Sequence, residues 1–145
     1  MLAAITVAGV GCERSASYGV SAPVNQLKRG EGVYASSCLV CHQHDGSGVP
    51  GFQPPLQGSS IVAGDPDRLL EVVIRGSAAL PEGYASPDGE DYAAEMPGFV
   101  ALEDDDLAAL LTYIRATWSY EGPVTPGQVR RGRAKLASDE PRPAE

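Results

Sequence analysis

Cys38-Leu39-Val40-Cys41-His42 is the stretch on which the reading of this chain turns. Two thiols three residues apart on one helical turn can each bond a haem vinyl group, so a Cys-x-x-Cys-His run reads as a site of covalent c-type haem attachment. His42 directly follows the second cysteine and is carried to the iron as one axial ligand. Other readings compete. A Cys-x-x-Cys pair can be half of a zinc site, but the chain has only one further cysteine, Cys12, and one further histidine, His44, and neither completes a zinc ligand set. A thioredoxin-like redox pair wants a strand-helix context, and no alternating strand pattern precedes Cys38. Structural zinc or a disulfide stays open beside haem.

The 145 residues are enough for one small domain with a modest core, which a bound porphyrin would enlarge. Aromatic content is 6% and hydrophobic content 43%, ordinary for a soluble domain in which a porphyrin supplies part of the apolar bulk. A net charge of −8 argues against nucleic acid, whose phosphates would be repelled. The charge is unevenly spread. Fifteen acidic residues face three basic ones between Gly30 and Glu121, whereas Arg130, Arg131, Arg133 and Lys135 make the following segment basic. Each run reads either as solvated surface or as a docking face for an oppositely charged redox partner.

Upstream, Leu2 to Gly11 is an apolar, small-residue run ending at Cys12, shorter than the roughly 20 residues that span a bilayer. Residues 1–12 read as the end of a secretory leader resembling a bacterial lipobox, with Cys12 as the acylated residue and a membrane anchor. Gly9 stands where that pattern prefers Leu, Val or Ile, and no Lys or Arg precedes it, which leaves open a longer leader beginning upstream. Residues 13–25 read as a flexible tether rich in Ser, Ala and Gly.

Helical character is expected from Gln26, with one helix over Leu27 to Cys38 that places Gly30 and Tyr34 on one face. A glycine there permits close approach of another helix, and Tyr34 can pack one turn later. Beyond His42, Asp45 to Pro55 is dense in turn formers. An axial histidine donates its other ring N–H to a backbone carbonyl, and Pro54 is the candidate acceptor, a plain turn proline being the alternative. Asp65 as N-cap, Pro66 at the first position, apolar Leu69, Val72 and Val73, and Gly76 as a stop mark a short helix. Ser77 to Glu95 shows no period and is expected to wrap a haem edge.

That loop ends in Met96-Pro97-Gly98-Phe99. The only other methionine is Met1, so Met96 is the candidate sixth ligand, a soft thioether that favours ferrous iron. A last helix is expected over Asp104 to Thr117, with Leu107, Leu110, Leu111 and Ile114 on one face, aspartates at its positive end and Arg115 at its negative end. Tyr113 is expected to meet Gly30 and Tyr34, and Trp118 to seal that packing.

These landmarks, Gly30-x-x-x-Tyr34, Cys38 to His42, Pro54-Pro55-Leu56-x-Gly58, Met96-Pro97-x-Phe99 and Leu102 to Arg115, resemble those of class I c-type cytochromes. The resemblance covers about residues 28–120. It implies an all-α fold in which crossed N- and C-terminal helices enclose one covalently bound haem c with His42 and Met96 as ligands. Glu103 stands where the family favours Ser or Thr as helix cap, and Asp104 is expected to cap instead. The boundaries that follow are 1–12 leader, 13–25 tether, 26–120 haem domain and 121–145 tail, basic then disordered. The tail from Trp118 is similar to the segment following haem domains in cytochrome subunits of membrane-bound periplasmic dehydrogenases.

The expected function is single-haem electron transfer outside the cytoplasm, on the periplasmic side of a bacterial membrane, between a respiratory or dehydrogenase donor and an acceptor. The protein is expected to be a carrier, or a tethered subunit of a membrane complex, and not itself an enzyme. The alternative is a haem enzyme or ligand sensor of peroxidase type with an open sixth site. Met96 speaks against it, as does the position of His44, too near the attachment site to serve the opposite haem face.

Overall fold

The structure is a computed structural model that describes residues 22–119 and 121–139. The leader, Cys12 and most of the tether lie outside the described residues. Among the described residues six α-helices follow in order: α1 (Val24–Ser37), α2 (Leu39–His42), α3 (Ser60–Ala63), α4 (Pro66–Arg75), α5 (Asp104–Trp118) and α6 (Pro126–Ser138). A 3-10 turn, Gly76–Ala79, follows α4. Among the described residues the only β-type pairing is an isolated bridge between Val49 and Gln53, so the fold is all-α.

The helices form where local chemistry starts and stops them. Asp65 caps α4 by accepting from the Asp67 N–H at 2.9 Å, Pro66 occupies the first turn, and Gly76 ends the helix at φ +77°. α1 begins at Val24, inside the segment read as a tether, because the Pro23 carbonyl already accepts from the Leu27 N–H at 3.0 Å. At α5 the expected cap is corrected. Glu103 holds the N-cap position without a side-chain bond, Asp104 is the first helical residue, and its carboxylate is drawn to Arg133.

The centre of the fold is the crossing of α1 and α5. A Cβ placed on Gly30 would lie 2.1 Å from the Ala109 carbonyl oxygen and 2.7 Å from the Tyr113 Cβ, so only glycine lets the two backbones come this close. One turn on, Tyr34 is buried against Tyr113 and Trp118, with ring centroids 5.6 and 5.0 Å away. Leu107, Leu110 and Leu111 of α5 are fully buried and join Leu69, Leu70 and Val73 of α4 in one core. Arg115, in the last turn of α5, is itself buried and donates to the carbonyls of Val62 and Gly64 at 3.1 and 2.7 Å, closing the end of α3.

The segment after residue 120, read from sequence as a tail, is folded onto this core as far as it is described. Val124 is buried and exchanges hydrogen bonds with the Thr112 hydroxyl, and Gln26 of α1 donates to the Val124 carbonyl at 2.7 Å. A Thr125/Gln128 capping box then starts α6, which buries Val129 and sets Gly132 directly against Leu70. Arg133 is no free surface cation. It bonds Asp104 at 2.9 Å and the Val100 carbonyl at 3.0 Å, and it also donates to the Leu102 carbonyl.

Two alanine substitutions in α1 separate packing from propensity. Gly30→Ala should lower the free energy of unfolding in urea by about 1–3 kcal/mol through overpacking. Gly32→Ala, with nothing within 4 Å of the added Cβ, should raise it by about 0.5–1 kcal/mol.

Candidate haem attachment site

Cys38 is the C-cap of α1, its N–H bonded to the Tyr34 carbonyl at 2.8 Å. The chain then turns without a break into α2, where the N–H groups of Cys41 and His42 both donate to the Cys38 carbonyl, at 3.1 and 2.9 Å. The two cysteines and the imidazole are therefore carried on one helical turn. Neither thiol is in a disulfide. Burial, with Cys41 alongside, pushes the Cys38 thiol up to about 11. A thioredoxin-like redox pair needs a thiol held down in pKa, so Cys38 is displaced in the wrong direction for that chemistry. Nor do His, Cys, Asp or Glu side chains gather in groups of three or more around a point that could hold a metal ion, among the described residues.

His42 Nδ1 lies 3.2 Å from the Pro54 carbonyl oxygen. A carbonyl can only accept, so Nδ1 carries the proton and Nε2 is left as the basic nitrogen, the tautomer a metal ligand requires. Burial lowers the imidazole pKa and so favours the neutral ring, while the bond to Pro54 partly opposes that shift. The loop that presents Pro54 is tied back by Gly48 N–H to the His42 carbonyl at 3.2 Å and by Leu56 N–H to the Gly46 carbonyl at 2.8 Å.

Gln43, immediately after His42, has φ 61° and ψ 169°, a region that side-chain-bearing residues rarely enter. Two aromatic polar groups hold the chain here. The Tyr34 hydroxyl donates to the Gln43 carbonyl at 2.6 Å, and Trp118 Nε1 donates to the Asp45 carbonyl at 2.9 Å. Burial raises the Tyr34 pKa, so the phenol keeps the proton it donates. Sequence reasoning places Tyr34 and Trp118 as packing residues and misses this grip on the turn behind the histidine. A tyrosine where an apolar ring would pack equally well is the signal available for it. His44 is exposed, in the turn that follows α2 beyond Gln43.

Met96 lies on a separate segment. Its main chain is bonded to Ser77, with Ser77 N–H donating to the Met96 carbonyl at 3.0 Å and Met96 N–H to Ser77 Oγ at 3.2 Å. Phe99 N–H donates to the Val73 carbonyl at 2.9 Å, so the Met96–Phe99 run is laid along the end of α4. No hydrogen bond engages the thioether among the described residues. Two unpaired thiols on one turn, an imidazole with Nε2 unprotonated and a thioether without a hydrogen bond are the groups that a covalently held haem with nitrogen and sulfur axial ligands would call for. Leu56, Ile61, Met96 and Phe99 are only partly covered by the polypeptide and pack against the core, as residues adjoining an apolar macrocycle would.

Comparison with known proteins agrees with this chemistry. The family model described as Cytochrome c matches residues 27–118. The chain is 34% identical over 101 residues to the cytochrome c subunit of a quinone alcohol dehydrogenase from Gluconobacter oxydans, covering 69% of this chain and 20% of that subunit. It is 34% identical over 116 residues to cytochrome c-552 of Thermus thermophilus, covering 73% of this chain and 85% of that protein. A gluconate 2-dehydrogenase cytochrome c subunit from Pantoea cypripedii is 34% identical over 92 residues, again with 20% of its length covered. The chain thus corresponds to a fraction of either dehydrogenase subunit and to most of the c-552 protein.

The attachment turn makes a direct prediction. Cys38→Ala or Cys41→Ala should leave at most one thioether, and the double substitution should abolish covalent retention. Acid-acetone extraction followed by the mass of the polypeptide reads this out, and wild-type protein should keep its haem through the extraction.

Proposed function

The chain belongs to the cytochrome c family, and from that membership we propose a single-haem electron carrier in which Cys38 and Cys41 attach the haem and His42 and Met96 ligate its iron. Electron transfer by covalently bound haem c is the function of the family domain; the residue roles are the part proposed. The observation that carries them is the Cys38–His42 turn, which gathers two unpaired thiols and an imidazole whose Nδ1 is already committed to Pro54. When bound, the haem supplies a one-electron couple, iron alternating between ferric and ferrous.

The chain's own residues make that couple reversible. Pro54 fixes the tautomer and direction of His42, so Nε2 stays available in both oxidation states. Met96 offers a neutral, soft sulfur that raises the reduction potential relative to a second nitrogen ligand. With His42 and Met96 both holding the haem, no site would be left on it for a substrate, which favours a carrier over an enzyme.

Exchange with partners calls for weak, transient docking. Val40, between the cysteines, is 82% exposed and gives an apolar contact on the attachment turn, and Phe52, two residues before Pro54, is 57% exposed. The acidic body around it steers this contact toward a basic partner face. Electron exchange in this reading takes place outside the cytoplasm, and Cys12, when acylated, tethers the domain to a membrane. No helix among the described residues is long and apolar enough to cross a membrane. The dehydrogenase subunits among the relatives suggest the variant in which the same domain serves inside a complex.

Met96→Ala tests the assignment. Loss of the thioether should lower the reduction potential and open the sixth position, so that the ferrous variant binds carbon monoxide rapidly and stoichiometrically at neutral pH. Wild-type protein should bind it slowly. Rapid binding by wild type would favour the ligand-sensing or peroxidase-type reading instead.

A further inference from the structure

The long loop between the 3-10 turn and Met96 has little to hold it. Most of residues 81–95 are exposed, and the loop touches the rest of the chain at few points, among them Ala93 and Ala94 N–H on the carbonyls of Gly51 and Phe52 at 3.3 and 3.1 Å. A segment this free would carry a candidate ligand over many positions unless its base were closed.

The base is closed at one residue. Both main-chain polar groups of Met96 are bonded to Ser77: the carbonyl accepts from Ser77 N–H at 3.0 Å, and the N–H donates to Ser77 Oγ at 3.2 Å. In an ordinary strand pairing the second bond would go to a backbone carbonyl. The Ser77 carbonyl is engaged elsewhere, accepting from Leu80 N–H at 3.0 Å inside the 3-10 turn, so the hydroxyl takes its place. The approach also needs Gly76, whose φ is +77° and whose missing Cβ would stand 2.2 Å from the Met96 carbonyl oxygen. Gly98 permits the matching approach on the far side, where an added Cβ would stand 2.4 Å from the Ile74 carbonyl oxygen.

We infer that Ser77 is a positioning residue for the sixth ligand, its hydroxyl holding the Met96 main chain against the end of α4 so that the thioether stays on the iron. The inference rests on the reading of Met96 as that ligand. It separates two roles within the segment: Met96 supplies the sulfur, and Ser77 sets how often the sulfur is away. An alanine at 77 would keep the N–H bond to the Met96 carbonyl but leave the Met96 N–H, in a partly buried position, without its acceptor. Loss of one such bond raises the population of the detached form about fivefold.

Carbon monoxide capture by the ferrous holoprotein measures that population, because the gas binds only while the sulfur is off. Ser77→Ala should speed capture about fivefold, and Ser77→Thr, which keeps the hydroxyl, should stay near the wild-type rate. Thr125→Ala is the control for general destabilisation. It removes the cap of α6 and should lower the urea midpoint comparably without altering capture. A Ser77→Ala rate equal to wild type, where wild type is slow and Met96→Ala fast, would overturn the role of Ser77 alone. Equal acceleration by Thr125→Ala would also overturn it, reducing the effect to stability. Fast capture by wild type would overturn the ligation by Met96 and this inference with it.

Discussion

The absence of a side chain at Gly30 is the constraint on which the rest of the structure depends. With the Ala109 carbonyl where a Cβ would stand, α1 and α5 can cross at backbone contact only if position 30 is glycine. Everything near the attachment turn is hung from that crossing. It brings Tyr34, Tyr113 and Trp118 into one aromatic cluster, and two members of the cluster then reach past their packing role to the carbonyls of Gln43 and Asp45. The chain leaving His42 is thus gripped from behind by the same contact that joins the first and fifth helices. A shift of the crossing would move the imidazole.

The second donor is held by a different part of the molecule. Met96 is laid against the end of α4 and the turn after it, and α4 reaches α1 only through the shared core with α5. Each proposed donor has a hold of its own, His42 Nδ1 on the Pro54 carbonyl and the Met96 main chain on Ser77. Donors held in place by structure that does not depend on oxidation state suit an iron that must gain and lose an electron without rearranging its ligands. α6 takes part in neither hold. By pressing Gly132 on Leu70 and tying Arg133 to Asp104 and to the Val100 and Leu102 carbonyls, it braces α4 and the start of α5 together.

Much of this was legible in the chain. The punctuation of α4 by Asp65, Pro66 and Gly76, the apolar face of α5 and the Gly30 to Tyr34 spacing are local signals that the structure answers with the helices and the crossing they suggest. α6 was not, because its cations read as a solvated surface and only Val129 and Leu136 mark an apolar side. The Thr125-Pro126-x-Gln128 capping box was the overlooked clue. Asp104 looked like a cap because aspartate caps helices, yet a cation from a distant segment competes for its carboxylate. Ser77 could not have been found from sequence at all. Its hydroxyl acquires a role only once the 3-10 turn has used its carbonyl and the loop has returned Met96 to its side.

The central claim is that one imidazole and one thioether of this chain hold the iron between them. X-ray absorption at the iron edge of the purified holoprotein tests it most directly, in the ferric and the ferrous forms. Ligation by His42 and Met96 requires a single sulfur neighbour beside the nitrogens in both forms, lost on Met96→Ala while the nitrogen shell persists. A first shell of nitrogen and oxygen only, in either oxidation state of the wild-type protein, would contradict it.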